Sequence, residues 1–441
     1  MVLTYERVTP NFKVSIIQIP FLQEPDVSHC THAAPLRDHF PTGHAGQLAQ
    51  RHRKYAMDLH TKFPGLTDLR TRAQRRIPPF VWEYLDSGTG FEATKARNRT
   101  ALDRIGMVPS VLHGEFTPDL GVDFMGQKFP LPFGIAPVGM SGLMWPGAEA
   151  HLARAAAHAN VPYSLSTVAT QSPEDIAPDL GRHGWFQMYP PRDPEIRRDM
   201  LARAKAAGFG TLILTVDVPV ASRRERQVRS GLTNPPRLTP RLAVQVATRP
   251  AWALGMAQRG MPHMRMLDNY ANAATKGLSP TAHVGYLLRT APDWDYVDRL
   301  RDEWDGTFIV KGILRAEDAT RLETQGVDAV WVSNHAGRQF DGAPASIEVL
   351  PAIRAATSLP IVFDSGVETG LDILRALALG ANFVMLGRAF HYALGALGAR
   401  GPDHLIDILR SDLVANMGQL GAHDLRTLPD TVTLSRSAPE C

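Results

Sequence analysis

The chain has 441 residues, room for two or three domains or for one large barrel with insertions. Its 44% apolar and 21% charged residues are ordinary for a soluble globular protein and exclude disorder throughout. A net charge of +3 excludes a dedicated nucleic-acid binder, which carries a concentrated basic face. Residues 1–56 come first and are polar, His- and Arg-rich and without steady periodicity, so they read as a flexible extension. Met57 offers an alternative start that would leave them outside the native protein. Residues 57–130 read as an N-terminal helical segment covering the central domain, and residues 426–441 as a tail.

From residue 131 to 425, short apolar runs alternate with amphipathic stretches, the pattern of repeated βα units. The runs are Phe133–Pro137, Tyr163–Thr167, Trp185–Tyr189, Thr211–Asp217, Thr307–Lys311, Ala329–Ser333, Ile361–Asp364 and Phe383–Gly387. Their nearly continuous apolar character suits parallel strands covered on both faces. Helices are expected between them, for example at Ala148–Ala159, Pro194–Ala207, Asp293–Trp304, Ala316–Gln325 and Gly370–Leu379. Eight such units predict an α/β fold, a TIM (β/α)₈ barrel, in preference to an open doubly wound sheet. Residues 218–290 break the rhythm and read as a long insertion after the fourth strand, on the side where loops carry function.

Barrels of this kind place chemistry at the C-terminal ends of their strands. In order, those ends carry Pro137, Val138 and Gly139; Ser166; Gln187 and Tyr189; Thr215 and Asp217; Lys311; Ser333 and His335, followed by Arg338; Asp364, Ser365 and Gly366; and Gly387 and Arg388. Each has an ordinary structural explanation when taken alone. Polar groups at every strand end together do not, because packing favours apolar residues there. His335 is the residue type that serves as a base near neutral pH. Asp217 would hold its ring and raise its pKa. Arg338 suits a bidentate contact with a carboxylate. Only eight of the 47 basic residues are lysine, so Lys311 at a strand end stands out as a fixed charge for a developing anion. The loops after strands seven and eight are the usual phosphate site of this barrel.

The stretch SNHAGRQFDG (Ser333–Gly342) resembles the signature of the FMN-dependent 2-hydroxy acid dehydrogenases and oxidases. The resemblance spans about residues 60–425 and includes FVWEYLDSG, IAPVGMSG, LSTVAT, WFQMY, LTVDVP, VKGI, DSGVETGLD and LGRAF. RPAWALGMAQRGMP (Arg249–Pro262) is closest to the bacterial flavin L-lactate dehydrogenases. The resemblance implies FMN as cofactor and no metal. It makes His335 the base and Asp217 its partner, with Tyr84, Arg224 and Arg338 on the substrate carboxylate and Tyr189 on the oxygens near the reacting carbon. Lys311 would stabilise the reduced flavin. Pro137, Val138, Gly139, Ser166, Gln187 and Thr215 would bind the ring system, and Ser333, Asp364, Ser365, Gly366, Glu368, Gly387 and Arg388 the remainder of the cofactor.

Three positions depart from the family pattern. Ala336 stands where the family has glycine, which matters if that position needs a positive φ. Glu368 stands where many members have an arginine near the FMN phosphate, and would repel that phosphate unless it points away. Val168 replaces the tryptophan of plant glycolate oxidases and widens the pocket. The expected reaction is oxidation of a small L-2-hydroxy acid, lactate first, to the 2-oxo acid. A hydrogen-peroxide-producing oxidase and a non-catalytic flavin-binding barrel are the alternatives. Gly139 follows the dehydrogenase pattern, so a quinone or cytochrome is expected as electron acceptor ahead of oxygen. The enzyme is expected to be a homo-oligomer without nucleic-acid partners.

The two cysteines, Cys30 and Cys441, cannot build a disulfide framework and lack zinc spacing, and a reducing compartment fits them. No run spans a membrane, and MVLTYERVTP lacks a signal-peptide pattern, so a cytoplasmic location is expected. Residues 240–267 mix Trp252, Leu254, Met256, Met261, Met264, Met266 and Leu267 with Arg241, Arg249, Arg259 and Arg265. That mixture predicts peripheral contact with the inner face of the cytoplasmic membrane, with a protein-covered lid or an oligomer contact as the alternative.

Overall fold

A computed structural model describes residues 58–231, 239–270, 288 and 290–434. Eight strands form the centre: β1 (Phe133–Ile135), β2 (Tyr163–Ser166), β3 (Gly184–Met188), β4 (Thr211–Thr215), β5 (Thr307–Ile313), β6 (Ala329–Val332), β7 (Ile361–Phe363) and β8 (Phe383–Leu386). All neighbours are parallel, and β8 pairs with β1 through Leu386 and Ile135, so the sheet closes into a barrel. Alternation along each strand produces two cores. On β4, Leu212 and Leu214 point to the surrounding helices while Ile213 points into the barrel.

A two-stranded hairpin, Val122–Phe124 with Gln127–Phe129, closes the barrel near the strand starts. It inserts Phe124 and Phe129 against Phe383, with ring centroids 5.1 and 5.2 Å apart. Trp185 and Trp331 complete this plug. With that end filled, only the C-terminal mouth is left for chemistry.

The helices α1 (Leu66–Arg76), α2 (Pro79–Asp86) and α3 (Ala93–Asp103) lie between the N-terminal residues and the barrel strands in sequence. The crossover helices fall where the periodicity predicts them. Gly370–Ala378 starts at Thr369, whose hydroxyl accepts from the Asp372 amide in a capping box. One expectation needs correction. The segment from 426 is not a free tail: Val432–Leu434 pairs antiparallel with Ile105–Met107. The apolar residues of the insertion divide between protein contacts and the surface. Trp252, Met256, Met266 and Leu267 are buried, and the Trp252 indole donates to Leu143 O at 2.9 Å, pinning helix Pro250–Arg259 onto the loop after β1. Leu254 and Met261 stay exposed. Residues 1–57, 232–238, 271–287, 289 and 435–441 lie outside the described residues.

Candidate active site

The turn after β6 carries the base. His335, Ala336 and Gly337 all have left-handed backbones, with φ of 53°, 54° and 72°. Such a run costs about 1–2 kcal/mol for each non-glycine residue and persists only when other contacts hold it. Those contacts are visible. The Ser333 hydroxyl accepts from the His335 amide at 3.0 Å. The Ser365 hydroxyl accepts from the amides of Asn334 at 3.3 Å and Ala336 at 3.1 Å, and donates to Asp364 at 2.7 Å. Asn98 on α3 exchanges two side-chain hydrogen bonds with Asn334, at 2.9 and 2.6 Å.

This turn sets His335 Nδ1 at 2.9 Å from Asp217 Oδ1. An ionised Asp217 only accepts, so Nδ1 carries the proton and Nε2 keeps a free lone pair. Burial pushes the Asp217 carboxyl upward, but the His335 ring that hydrogen-bonds to it and the Lys311 ammonium outweigh burial and hold the acid below its ordinary range. For His335 the balance differs from the sequence expectation. Burial is the largest influence and lowers its pKa, and Lys311 and Arg224 add to that; Asp217 raises it without restoring the ordinary value. The resting imidazole is therefore neutral, the form a base requires. Gly312, at φ 109°, makes room for this pair: a β-carbon there would meet Asp217 Cβ at 2.6 Å.

Lys311 is buried at the end of β5. Its ammonium donates to Ser333 Oγ at 2.6 Å and lies 3.2 Å from Asp364 Oδ2. On the adjacent strands β2, β3 and β4 a buried polar chain crosses an apolar wall: Ser166 donates to Gln187 Oε1 at 2.8 Å, and Gln187 Nε2 donates to Thr215 Oγ1 at 3.0 Å.

Three arginines meet at the mouth. Arg338 donates to the carbonyls of Tyr84 (2.9 Å), Leu85 (3.3 Å) and Ser87 (2.9 Å), with its guanidinium 5.4 Å from the Tyr84 ring centre. Arg388 donates to Leu85 O, Ser87 O and Ala336 O. Arg224 donates to Ser222 Oγ at 3.0 Å. None of the three forms an ion pair with a carboxylate among the described residues. Burial, then Arg224 and Arg388, push Arg338 down to about 9. Tyr189 faces the same space: burial first, and Asp217 next, raise its phenol, which stays protonated. Tyr84 donates to Gly139 O at 3.2 Å.

Gly387 begins helix Arg388–Leu397, whose N-terminal amides favour an anion. Cations without carboxylates, a helix N-terminus and a buried polar edge suit a flat, polar-edged ring system with a phosphate tail and an acid beside it. This donor set fits FMN. Pro137, Val138 and Gly139 line the loop after β1, where a β-carbon on Gly139 would meet Val168 Cγ2 at 2.6 Å. Gly366, at φ 91°, packs on Asn98, and Arg99 holds its carbonyl at 3.1 Å. Glu368 donates its amide to Asp372 at 3.0 Å. Its carboxylate acts on Arg70, whose pKa burial lowers but Tyr392, Asp86 and Glu368 raise beyond its ordinary value.

Sequence reasoning missed Asn98 and Asp372, which shape the loops without facing the mouth. Asn98 has no local signal, since its partner lies 236 residues away. Asp372 was visible only as the third residue of a capping box.

Residues 73–434 match the model of the FMN-dependent dehydrogenases. An L-lactate dehydrogenase of Ectopseudomonas mendocina is 40% identical over 367 residues, 81% of this chain and 95% of that protein. An L-lactate dehydrogenase of Caulobacter vibrioides is 39% identical over 375 residues, 84% of this chain and 97% of that protein. Among solved structures, a monotopic membrane protein, (S)-mandelate dehydrogenase, superposes with a TM-score of 0.80 at 35% identity, covering 84% of this chain and 99% of that one.

Proposed function

The chain belongs to the FMN-dependent dehydrogenase family, and from that premise we propose that it oxidises L-lactate or a close L-2-hydroxy acid to the 2-oxo acid, with His335 as the base. The observation that carries this reading is the His335–Asp217 pair, an imidazole held by an ionised carboxylate, beside cations that have no carboxylate partner among the described residues. Arg338 and Arg224 would bind the substrate carboxylate, and Tyr84 would sit against it. The protonated Tyr189 phenol would donate to the oxygen on the reacting carbon. His335 would then accept a proton at Nε2 while Nδ1–H stays on Asp217, whose charge stabilises the imidazolium as it forms. Lys311 would offset negative charge growing beside it. FMN, when bound, supplies the two-electron acceptor.

Stopped-flow bleaching of bound flavin across a panel of 2-hydroxy acids tests the reading. L-Lactate should bleach fastest, and His335→Gln should keep the flavin spectrum while slowing bleaching about 10²–10⁴-fold. Wild-type bleaching by that variant would remove histidine from the mechanism. Since burial outweighs Asp217, the acid limb of kcat/KM should lie below 6.5, the ordinary histidine value. Asp217→Asn removes an influence that raises the pKa, so it should move the limb lower still and slow bleaching less than His335→Gln.

The acceptor would be a quinone or cytochrome. The tight Gly139–Val168 contact, which leaves no space for a β-carbon, is compatible with the dehydrogenase pattern at Gly139. Hydrogen peroxide formed in step with substrate would favour an oxidase. No helix among the described residues is long and apolar enough to cross a membrane. Peripheral attachment through exposed Val244, Leu254 and Met261 beside Arg241 and Arg259 is supported by that side-chain mixture and by the monotopic character of the mandelate dehydrogenase.

A further inference from the structure

Four of the eleven residues of α1 are arginine, and they leave the helix in two directions. Arg70 turns to Asp86 at 2.8 Å. Arg72, Arg75 and Arg76 instead line a cleft of about 570 Å³, together with Lys62 and, from the insertion, Arg249. Part of this charge has a structural use. Arg72 Nε donates to Ala396 O at 2.9 Å, and Arg76 Nη1 donates to Gly395 O and Ala396 O at 3.2 and 3.1 Å. These are the last carbonyls of helix Arg388–Leu397, an end worth roughly half a negative charge.

That end is too weak to balance the cleft. Among the described residues none of Arg72, Arg75, Arg76 or Arg249 pairs with a carboxylate. Lys62 is taken by Asp58 at 2.7 Å. Asp68, the one carboxylate lining the cleft among the described residues, accepts from the Gly65 amide at 3.1 Å as a helix cap. The guanidinium groups are also held in place, Arg76 at 4.0 Å from the Trp145 ring centre and Arg72 at 5.0 Å from that of Phe63. Burial, then Arg72 and Arg400, push Arg76 down to about 10, a crowding that an entering anion would relieve.

We propose that this cleft is a second anion site, built for a phosphate-bearing ligand and separate from the barrel mouth. A phosphate accepts from several guanidinium forks at once, and its multiple charge matches a surplus that one carboxylate would leave uncompensated. The cleft is larger than a bare phosphate, and Phe63, Pro250 and Ala251 offer apolar surface to the attached carbon groups. A soluble phosphate ester and an anionic lipid headgroup share this chemistry.

The test uses the full-length holoenzyme with inorganic pyrophosphate as probe, binding read by calorimetry and FMN retention by visible absorbance. Wild type should bind pyrophosphate with FMN still in place, and less tightly as salt rises. Arg75→Gln combined with Arg249→Gln should weaken binding at least about tenfold, the weight of one charge-assisted hydrogen bond, and leave flavin bleaching unchanged. The exposed Lys62→Gln should weaken it in the same direction and provides a second variant if the first is unstable. Vesicles of phosphatidylglycerol in phosphatidylcholine, against phosphatidylcholine alone, form the other arm. Retention on the anionic vesicles that these variants abolish, without pyrophosphate binding, assigns the phosphate to a lipid headgroup and also supports the site. Binding that is equal in the variants, binding that displaces FMN, or no binding of either probe overturns it.

Discussion

At Ala336 the chain places a β-carbon on a backbone turned left-handed, with φ 54° and ψ 37°. The conformation is imposed from outside: Ser365 Oγ holds its amide and Arg388 its carbonyl. Glycine would keep both hydrogen bonds without the steric cost. Ala336→Gly should therefore stabilise the protein by about 1 kcal/mol, reduced by the extra freedom glycine gains when unfolded. Urea denaturation followed by flavin release measures this, and a variant less stable than wild type would mean that the methyl packs usefully. The same turn shows why His335 differs from its sequence expectation. A carboxylate partner raises a histidine pKa, but how deeply the pair is buried decides the sign of the total, and burial is a property of the folded mouth.

Among the elements, the link between α3 and the β6 turn governs how firmly the base is held. Asn98 and Asn334 are both buried, and Asn98 also accepts from the Ser346 amide at 3.4 Å. Asn98→Ala removes one partner and leaves Asn334 with unmade hydrogen bonds in a buried place, at a cost of about 1–3 kcal/mol. The variant should unfold at correspondingly lower urea and bleach more slowly with L-lactate, because the His335 turn is less constrained. Loss of stability with an unchanged bleaching rate would limit the pair to a structural role. The insertion behaves likewise: its apolar residues looked like a membrane face in the sequence, yet helix Pro250–Arg259 spends Trp252 and Met256 on protein contacts, including Phe80 at 5.9 Å between ring centres.

For the whole molecule, His391 makes stability depend on pH. It is fully buried; Nδ1 donates to Gly387 O at 2.9 Å and Nε2 lies 2.7 Å from Ser141 Oγ, joining the end of β8 to the loop after β1. Burial pushes its pKa down to about 4, against the ordinary 6.5. Between those values the unfolded chain binds a proton that the native one refuses, so stability falls as pH drops from 6.5 towards 4, by up to about 3 kcal/mol. Glu149, buried and raised by that burial, acts in the opposite sense. The comparison is therefore between wild type and His391→Asn. The variant should melt lower near pH 7, and its melting temperature should fall less, or rise, relative to wild type as pH drops across that window. Parallel curves for the two proteins would exclude His391 as the source.

The sequence alone determined the barrel and the cast of its mouth. Parallel strands buried on both faces must be almost continuously apolar, so eight such runs marked the strands within a residue or two, and polar residues had no packing reason to stand at their ends. Tertiary structure decided what depends on distant partners. The backbone of Ala336 is left-handed because Ser365 and Arg388 hold it. Val432–Leu434 is a strand because Ile105–Met107 lies beside it. The pKa of His335 is lowered because the fold buries the ring more than Asp217 compensates. Hydrophobic periodicity records whether a residue is covered, and carries no information about which neighbour covers it or how much water that neighbour removes.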